Sequence, residues 1–223
     1  MNDQVFAEFG PFFATDTHAA AAPVDGPWST LAAALANPRR IDSRVERVRT
    51  ALAAGAASNV SPRVAASVTH LGLVARLLAP ALAAAVIGTR LSLDPADVWW
   101  QDHLGGPFPL SVVTVDAEPA LDDEFPRAVD DLTALFDASY PVGPHVLGGN
   151  IASAINSAAR MIGTARPELA DAARRHADLF LARPDIEGGY LRAGPNFRRR
   201  SCCLIYQVSG DRTAVCGDCV LSG

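Results

Sequence analysis

Residues 61–88 read SPRVAASVTHLGLVARLLAPALAAAVIG, and this apolar stretch decides what kind of fold the chain can form. Ser61 and Pro62 are residue types preferred at the N-cap and in the first turn of an α-helix. Apolar residues then recur at helical spacing. Because proline disrupts a helix interior, we predict two helices that meet near Pro80, the second ending at Gly88.

The same stretch is long enough to cross a lipid bilayer. However, it contains His70 and Arg76, and much of it is alanine. An arginine at the centre of a spanning helix costs roughly 2.5–3.5 kcal/mol, and alanine offsets little of that cost. We therefore expect buried helices of a globular domain and no stable membrane insertion.

Helical patterns continue on both sides of this stretch. Upstream, Asn37 and Pro38 are expected to end a short helix that begins at Ser29, and Ser43 with Glu46 has the capping-box pattern that opens the next one. Downstream, apolar residues at helical spacing predict helices around residues 129–136, 151–162 and 167–180.

Between these helical regions, residues 97–102 and 108–115 are rich in aromatic and β-branched residues. This composition predicts a central β-hairpin. Trp99, Trp100 and His103 fall in it. They are candidates for lining a substrate cavity, or they are simply buried aromatic residues and a loop histidine.

Composition bounds the class of protein. The chain has 223 residues, of which 49% are hydrophobic, and a net charge of −5. The charge argues against nucleic-acid binding, which needs a basic face. The chain has no lysine, which excludes Schiff-base chemistry and a phosphate loop ending in Gly-Lys-Ser/Thr. The N-terminus lacks the pattern of a secretory signal, so we expect a cytoplasmic protein.

The overall prediction is a mainly α fold of the α+β class. Residues 1–190 form a helical body, which is the expected substrate-binding region. A connector rich in proline and glycine, residues 184–196, leads to a C-terminal module at residues 191–223.

The four cysteines lie close together in this module. They follow the pattern C-C-x12-C-x2-C, and they are Cys202, Cys203, Cys216 and Cys219. Clustered cysteines in a reducing compartment point to a metal more than to disulfides. Spacing alone leaves an iron–sulfur cluster, zinc and a redox role open.

Residues 204–208 and 213–215 suit strands, with Ser209 and Gly210 as the turn of a second hairpin. Neighbouring residues of a regular strand point to opposite faces. Cys202 and Cys203 can therefore reach one site only if at least one of them lies in a bulge or turn.

The tail resembles the C-terminal signature of the FhuF-like ferric siderophore reductases. The residues that carry the resemblance are 199–206, RRSCCLIY, and 216–219, CGDC. The family pattern is C-C-x10-C-x2-C, so this chain has two extra residues, an even number that preserves side-chain facing in a hairpin. Residues 147–154, LGGNIASA, are a weaker similarity, in which a Gly-Asn step opens a helix.

The resemblance implies a [2Fe–2S] cluster on the four cysteines and reduction of Fe(III) in a siderophore of the hydroxamate type, with electrons from a separate donor. Arg198, Arg199 and Arg200 then stabilise the electron-rich site or attract an anionic partner; otherwise they are a solvated charge run. Asn150 is a substrate contact or a helix cap, and Arg160 is a second candidate contact.

Two other functions remain open at this point. The first is a zinc-stapled interaction domain, in which the metal only folds the tail. The second keeps the cluster, but the protein acts as an electron carrier or redox sensor.

Overall fold

The computed structural model describes residues 5–56, 59–115, 125–209 and 216–221. The helices are α1 Leu31–Leu35, α2 Pro38–Ala53, α3 Pro62–Ile87, α4 Arg127–Ser139, α5 Pro144–Ala165, α6 Ala170–Leu181 and α7 Tyr206–Ser209. The strands are β1 Asp16–His18, β2 Ser29–Thr30, β3 Arg90–Ser92, β4 Trp99–Trp100 and β5 Leu110–Val115. The predicted fold class, mainly α with a small sheet, is confirmed.

The long apolar stretch forms one helix, α3, so the predicted break at Pro80 is wrong. Ser61 caps its start by accepting the Val64 N–H, and Gly88 ends it with a left-handed φ of 74°. An interior proline costs a helix about 3 kcal/mol. Burial of most of α3 offsets this cost, because the residues around Pro80 are packed on nearly every side.

α3 is the central helix of the body. Its length and composition would allow it to cross a membrane, yet most of it is buried inside the protein. Helices α2, α4, α5 and α6 all contact it. The apolar character of α3 is thus explained by its place in the core.

Helix α2 begins earlier than the capping-box pattern predicts. It starts at Pro38, immediately after Asn37, so Ser43 and Glu46 lie inside the helix and the predicted start is wrong. Glu46 instead forms an ion pair with Arg49 one turn later. A proline at the first helical position is favourable because its missing N–H has no partner there anyway.

The central hairpin is confirmed, but it belongs to a larger sheet. Strand β4 pairs with β5 in antiparallel register, with Trp99 opposite Ser111 and Trp100 opposite Leu110. The sheet order is β1-β5-β4-β2, with β3 also paired to β5. Strand β1 runs parallel to β5. The short strands β1, β2 and β3 carry too few residues for a recognisable alternation.

Arg76 ties the sheet and the N-terminal segment to the central helix. Its guanidinium is buried and donates to the carbonyl oxygens of Phe12 at 2.8 Å, Ala14 at 2.6 Å and Phe108 at 2.9 Å. The guanidinium of Arg76, whose charge argued against membrane insertion, therefore supplies hydrogen-bond donors to three backbone carbonyls inside the core.

We expect Arg76→Met to lower the free energy of unfolding by about 3 kcal/mol or more, because buried carbonyls left without donors cost about 1–3 kcal/mol each. Urea denaturation measures the loss. Arg63→Met is the matched control, since Arg63 is exposed at the start of the same helix and should change stability by less than about 0.5 kcal/mol. Equal small losses in both variants would contradict this role for Arg76.

Candidate metal centre

The cysteine-bearing tail does not form the predicted hairpin. Residues 204–208 do not form a strand: the chain bends at Leu204, and α7 follows. The second predicted strand, at residues 213–215, and Gly210 of the predicted turn lie outside the described residues. Leu204 has φ 70°, a left-handed conformation that non-glycine residues adopt only where their surroundings impose it. Cys202 and Cys203 themselves lie in irregular chain between bends at Ser201 and Leu204, so the strand geometry that required a bulge or turn at one of them does not arise.

The four cysteines form two couples of free thiols. Cys203 is hydrogen-bonded to Cys216, and Cys202 to Cys219. Each couple has one buried and one partly exposed member: Cys203 and Cys219 are buried, whereas Cys216 and Cys202 reach the surface. Cys216 and Cys219, which belong to different couples, are joined by a tight turn of the backbone: the Cys219 N–H donates to the Cys216 carbonyl at 3.0 Å.

The Cys203 and Cys216 thiols share one proton. A hydrogen bond from Cys216 and the neighbouring Arg199 lower the pKa of Cys203 to about 5. The same hydrogen bond raises the pKa of Cys216, which keeps the proton. At neutral pH this couple therefore carries one thiolate, the form of cysteine that binds metals.

Backbone N–H groups point at the sulfurs of the other couple. The Leu204 N–H donates to Cys202 Sγ at 3.3 Å, and the Leu221 N–H donates to Cys219 Sγ at 3.4 Å. Such donors stabilise negative charge on sulfur, and in iron–sulfur proteins they are one of the factors that set the reduction potential.

Hydrogen bonds from two helices hold the tail in place. The Ser67 hydroxyl on α3 donates to the Cys203 carbonyl at 2.9 Å. Asn150 on α5 donates to the Ser67 carbonyl at 3.0 Å, and its Oδ1 accepts from Arg199 at 3.4 Å. Asn150 lies inside α5, which begins at Pro144, so the helix-cap alternative is wrong. Its role as a substrate contact stays a prediction, and its side chain is fully buried.

Small residues on α5 allow the connector and the tail to approach closely. A side-chain carbon at Gly148 would lie 2.8 Å from the Asp185 carbonyl oxygen, and one at Gly149 would lie 1.8 Å from Ser201 Oγ. Ser153, one turn further on, donates to the Asp218 carboxylate. The weak LGGNIASA similarity therefore marks the face of α5 that receives the tail.

The thiol arrangement fits a two-iron group. In a [2Fe–2S] cluster four cysteine thiolates serve two irons, and the four thiols here form two couples. Among the residues that the structure describes, no three His, Cys, Asp or Glu side chains converge to hold one metal ion. Two couples are compatible with two irons, each held by two thiolates.

The three arginines of the tail have different surroundings. Arg199 is buried and donates to Cys216 Sγ at 2.6 Å. Arg198 and Arg200 are exposed. The Arg200 N–H donates to the Glu187 carboxylate at 2.6 Å, and its guanidinium lies over the Tyr190 ring. Arg199 thus lies against the thiols, as the charged-site interpretation requires, whereas Arg198 and Arg200 are exposed, where they stay candidates for attracting an anionic partner.

The structure does not bring the other predicted substrate residues to the thiols. Trp99 stacks on His18 with ring centroids 3.7 Å apart, and Trp100 packs against Phe108. His103 is exposed in the loop after β4.

The anchor points of the hairpin and of the tail on α3 are about 13 Å apart along the helix. Arg76, which binds the Phe108 carbonyl, follows Ser67 by nine residues, and a helix rises 1.5 Å per residue. Arg160 is exposed ten residues beyond Asn150, about 15 Å further along α5.

Sequence reasoning missed Ser67, Ser153 and Glu187, which all contact the tail. A signal was available for the two serines, because each is a small polar residue that interrupts the apolar face of a buried helix. Such a residue needs a hydrogen-bond partner, which suggests a neighbouring segment. Nothing in the sequence marks Glu187 in this way.

Replacing Gly148 tests whether the tail depends on close approach to α5. We expect Gly148→Ala to lower the free energy of unfolding by about 1–3 kcal/mol, because the new carbon collides with backbone that cannot turn aside. Gly72→Ala is the control: Gly72 has open space around it on α3, so alanine should leave stability unchanged or raise it by about 1 kcal/mol. Chemical denaturation of both variants measures the difference, and equal gains in both would contradict the packing described here.

Comparison with known proteins identifies the tail. Residues 199–221 match the family model of the FhuF 2Fe–2S C-terminal domain. No curated protein and no solved structure matches the chain. The match includes all four cysteines and Arg199, and it leaves the helical body outside. The resemblance of the tail to the FhuF-like family is thereby confirmed over residues 199–221.

Proposed function

We propose that this chain is a cytoplasmic ferric-siderophore reductase, which passes single electrons to siderophore-bound Fe(III) and releases Fe(II). The observation that carries the proposal is the pairing of four free thiols within the segment that matches the FhuF 2Fe–2S C-terminal domain. When bound to these thiols, a [2Fe–2S] cluster supplies a one-electron centre. Free thiols are typical of the reducing cytoplasm.

Reduction of siderophore-bound Fe(III) requires no catalytic side chain besides the electron-transfer centre. Fe(III) is a hard cation that the oxygen atoms of a hydroxamate siderophore hold tightly. One added electron lowers its charge, weakens that attraction and permits ligand exchange. The step breaks no covalent bond of the siderophore, so it needs no nucleophile or general base from the chain.

Exposure at the tail supports electron transfer to a bulky acceptor. Cys202 and Cys216 both reach the surface, one from each couple. Arg198 and Arg200, on either side of Arg199 in the chain, are exposed and supply positive charge in a chain with a net charge of −5. An anionic acceptor or donor is attracted to such a region.

A cleft lies at the C-terminal end of α3, away from the cysteines. Its volume is about 930 Å³, and the C-terminal part of α3 lines it together with β3 and α6. Ala81, the first α3 residue in its wall, follows Ser67 by 14 residues, about 21 Å along the helix. We therefore propose that the ferric siderophore meets the surface beside the cysteines, not this cleft.

Single-turnover kinetics test the proposal. The anaerobically purified protein is reduced with dithionite, freed of excess reductant and mixed with a ferric hydroxamate siderophore or with ferric citrate. Absorbance follows reoxidation, and a chromogenic chelator traps Fe(II). We expect the siderophore to oxidise the protein at least about tenfold faster than ferric citrate, with one Fe(II) released per electron. Equal, slow rates with both acceptors would contradict a dedicated reductase and favour an electron carrier or sensor.

A further inference from the structure

Arg199 is a buried cation in contact with one of the two cysteine couples. Only 1% of the surface of Arg199 is exposed to solvent. One guanidinium nitrogen donates to Cys216 Sγ at 2.6 Å, and the side chain is also hydrogen-bonded to Cys203. Its neighbours Arg198 and Arg200 are exposed on either side. One of the three arginines therefore places its charge against sulfur.

The charge of Arg199 has few other partners to balance it. A buried guanidinium is costly unless anions or acceptors surround it. The negative groups that act on Arg199 are Cys203, Cys216 and, as a further charge, Asp218, whose carboxylate already accepts from Ser153. Burial alone would lower the pKa of Arg199, but these anions raise it above its ordinary value, so the guanidinium stays charged.

Asn150 fixes the orientation of this cation. Its Oδ1 accepts from Arg199 at 3.4 Å, while its amide nitrogen donates to the carbonyl and hydroxyl oxygens of Ser67 at 3.0 and 3.2 Å. Ser67 in turn donates to the Cys203 carbonyl. The guanidinium and one of the cysteines that it contacts are thus held by the same two helices.

The positive charge lies on one side of the site. Cys203 and Cys216 receive donors from a charged guanidinium, and Cys203 also receives a backbone donor from Ile205. Cys202 and Cys219 receive neutral backbone donors from Leu204 and Leu221. Arg199 Nε is also buried without a hydrogen-bond acceptor among the described residues. The Nε–H of Arg199 can therefore donate to an anionic group bound at the thiols.

We propose that Arg199 sets the reduction potential of the cluster from the side of Cys203 and Cys216, with Asn150 and Ser67 as positioning residues. A fixed positive charge in a low-dielectric site favours the more negative, reduced state, so it raises the potential. An exposed arginine has a weaker effect because water and salt screen it. The proposal rests on the cluster named above but not on the identity of the electron acceptor.

Spectroelectrochemical titration of the holoprotein tests this proposal, with low-temperature EPR of the reduced form as a second readout. We expect Arg199→Gln to lower the equilibrium constant for one-electron reduction at least tenfold, which is about 59 mV toward lower potential. Arg198→Gln removes the same charge from an exposed neighbour and should change that constant less than about threefold. Equal shifts in the two variants, or no shift in Arg199→Gln, would overturn the proposal.

A second variant covers the case in which Arg199→Gln loses its iron. Asn150→Asp keeps Arg199 and places a carboxyl group beside its guanidinium. Measured at pH 9, where that carboxyl is ionised and neutralises the cation, the variant should also lower the constant about tenfold. An unchanged potential in this variant would overturn the proposal as well. Failure of the wild-type protein to assemble a cluster would instead contradict the proposed function, and slow siderophore reduction by a normal cluster would leave the role of Arg199 standing.

Discussion

The contact between the tail and two helices of the body is the constraint on which the site depends. Ser67 on α3 and Asn150 on α5 hydrogen-bond to the tail through buried polar atoms. Leaving such groups unpaired inside a protein costs more than the bonds themselves contribute. The tail is therefore held in one position, and its four thiols meet there as two couples.

This contact also explains features that have no role in redox chemistry. Gly148 and Gly149 lie on the face of α5 that the connector and tail approach, where a side chain would collide. Leu204 adopts a left-handed conformation directly after the cysteine pair. The bend there lets both adjacent cysteines reach one site, which a regular strand would not allow because its neighbouring side chains point to opposite faces.

Local patterns were sufficient to predict much of the fold. Helical spacing located α3 to α6, and aromatic and β-branched residues located the β4–β5 pair. Errors arose where distant contacts outweighed local preference. Pro80 stays within α3 because packing offsets its cost, and residues 204–208 form a bend and a helical turn although their composition favours a strand. The Ser67–Cys203 bond joins residues 136 positions apart, a separation that no local pattern reveals.

In the candidate site, too, some features could be predicted from the sequence and others depend on distant contacts. The cysteine spacing and the resemblance that it carries indicated the ligands and the cofactor. The pairing of the thiols and the burial of Arg199, but not of its neighbours, depend on how the tail meets the body. Iron, zinc and acid-labile sulfide measured in the anaerobically purified protein test the central claim most directly. The account predicts about two irons and two sulfides per chain; one zinc per chain without sulfide would contradict it.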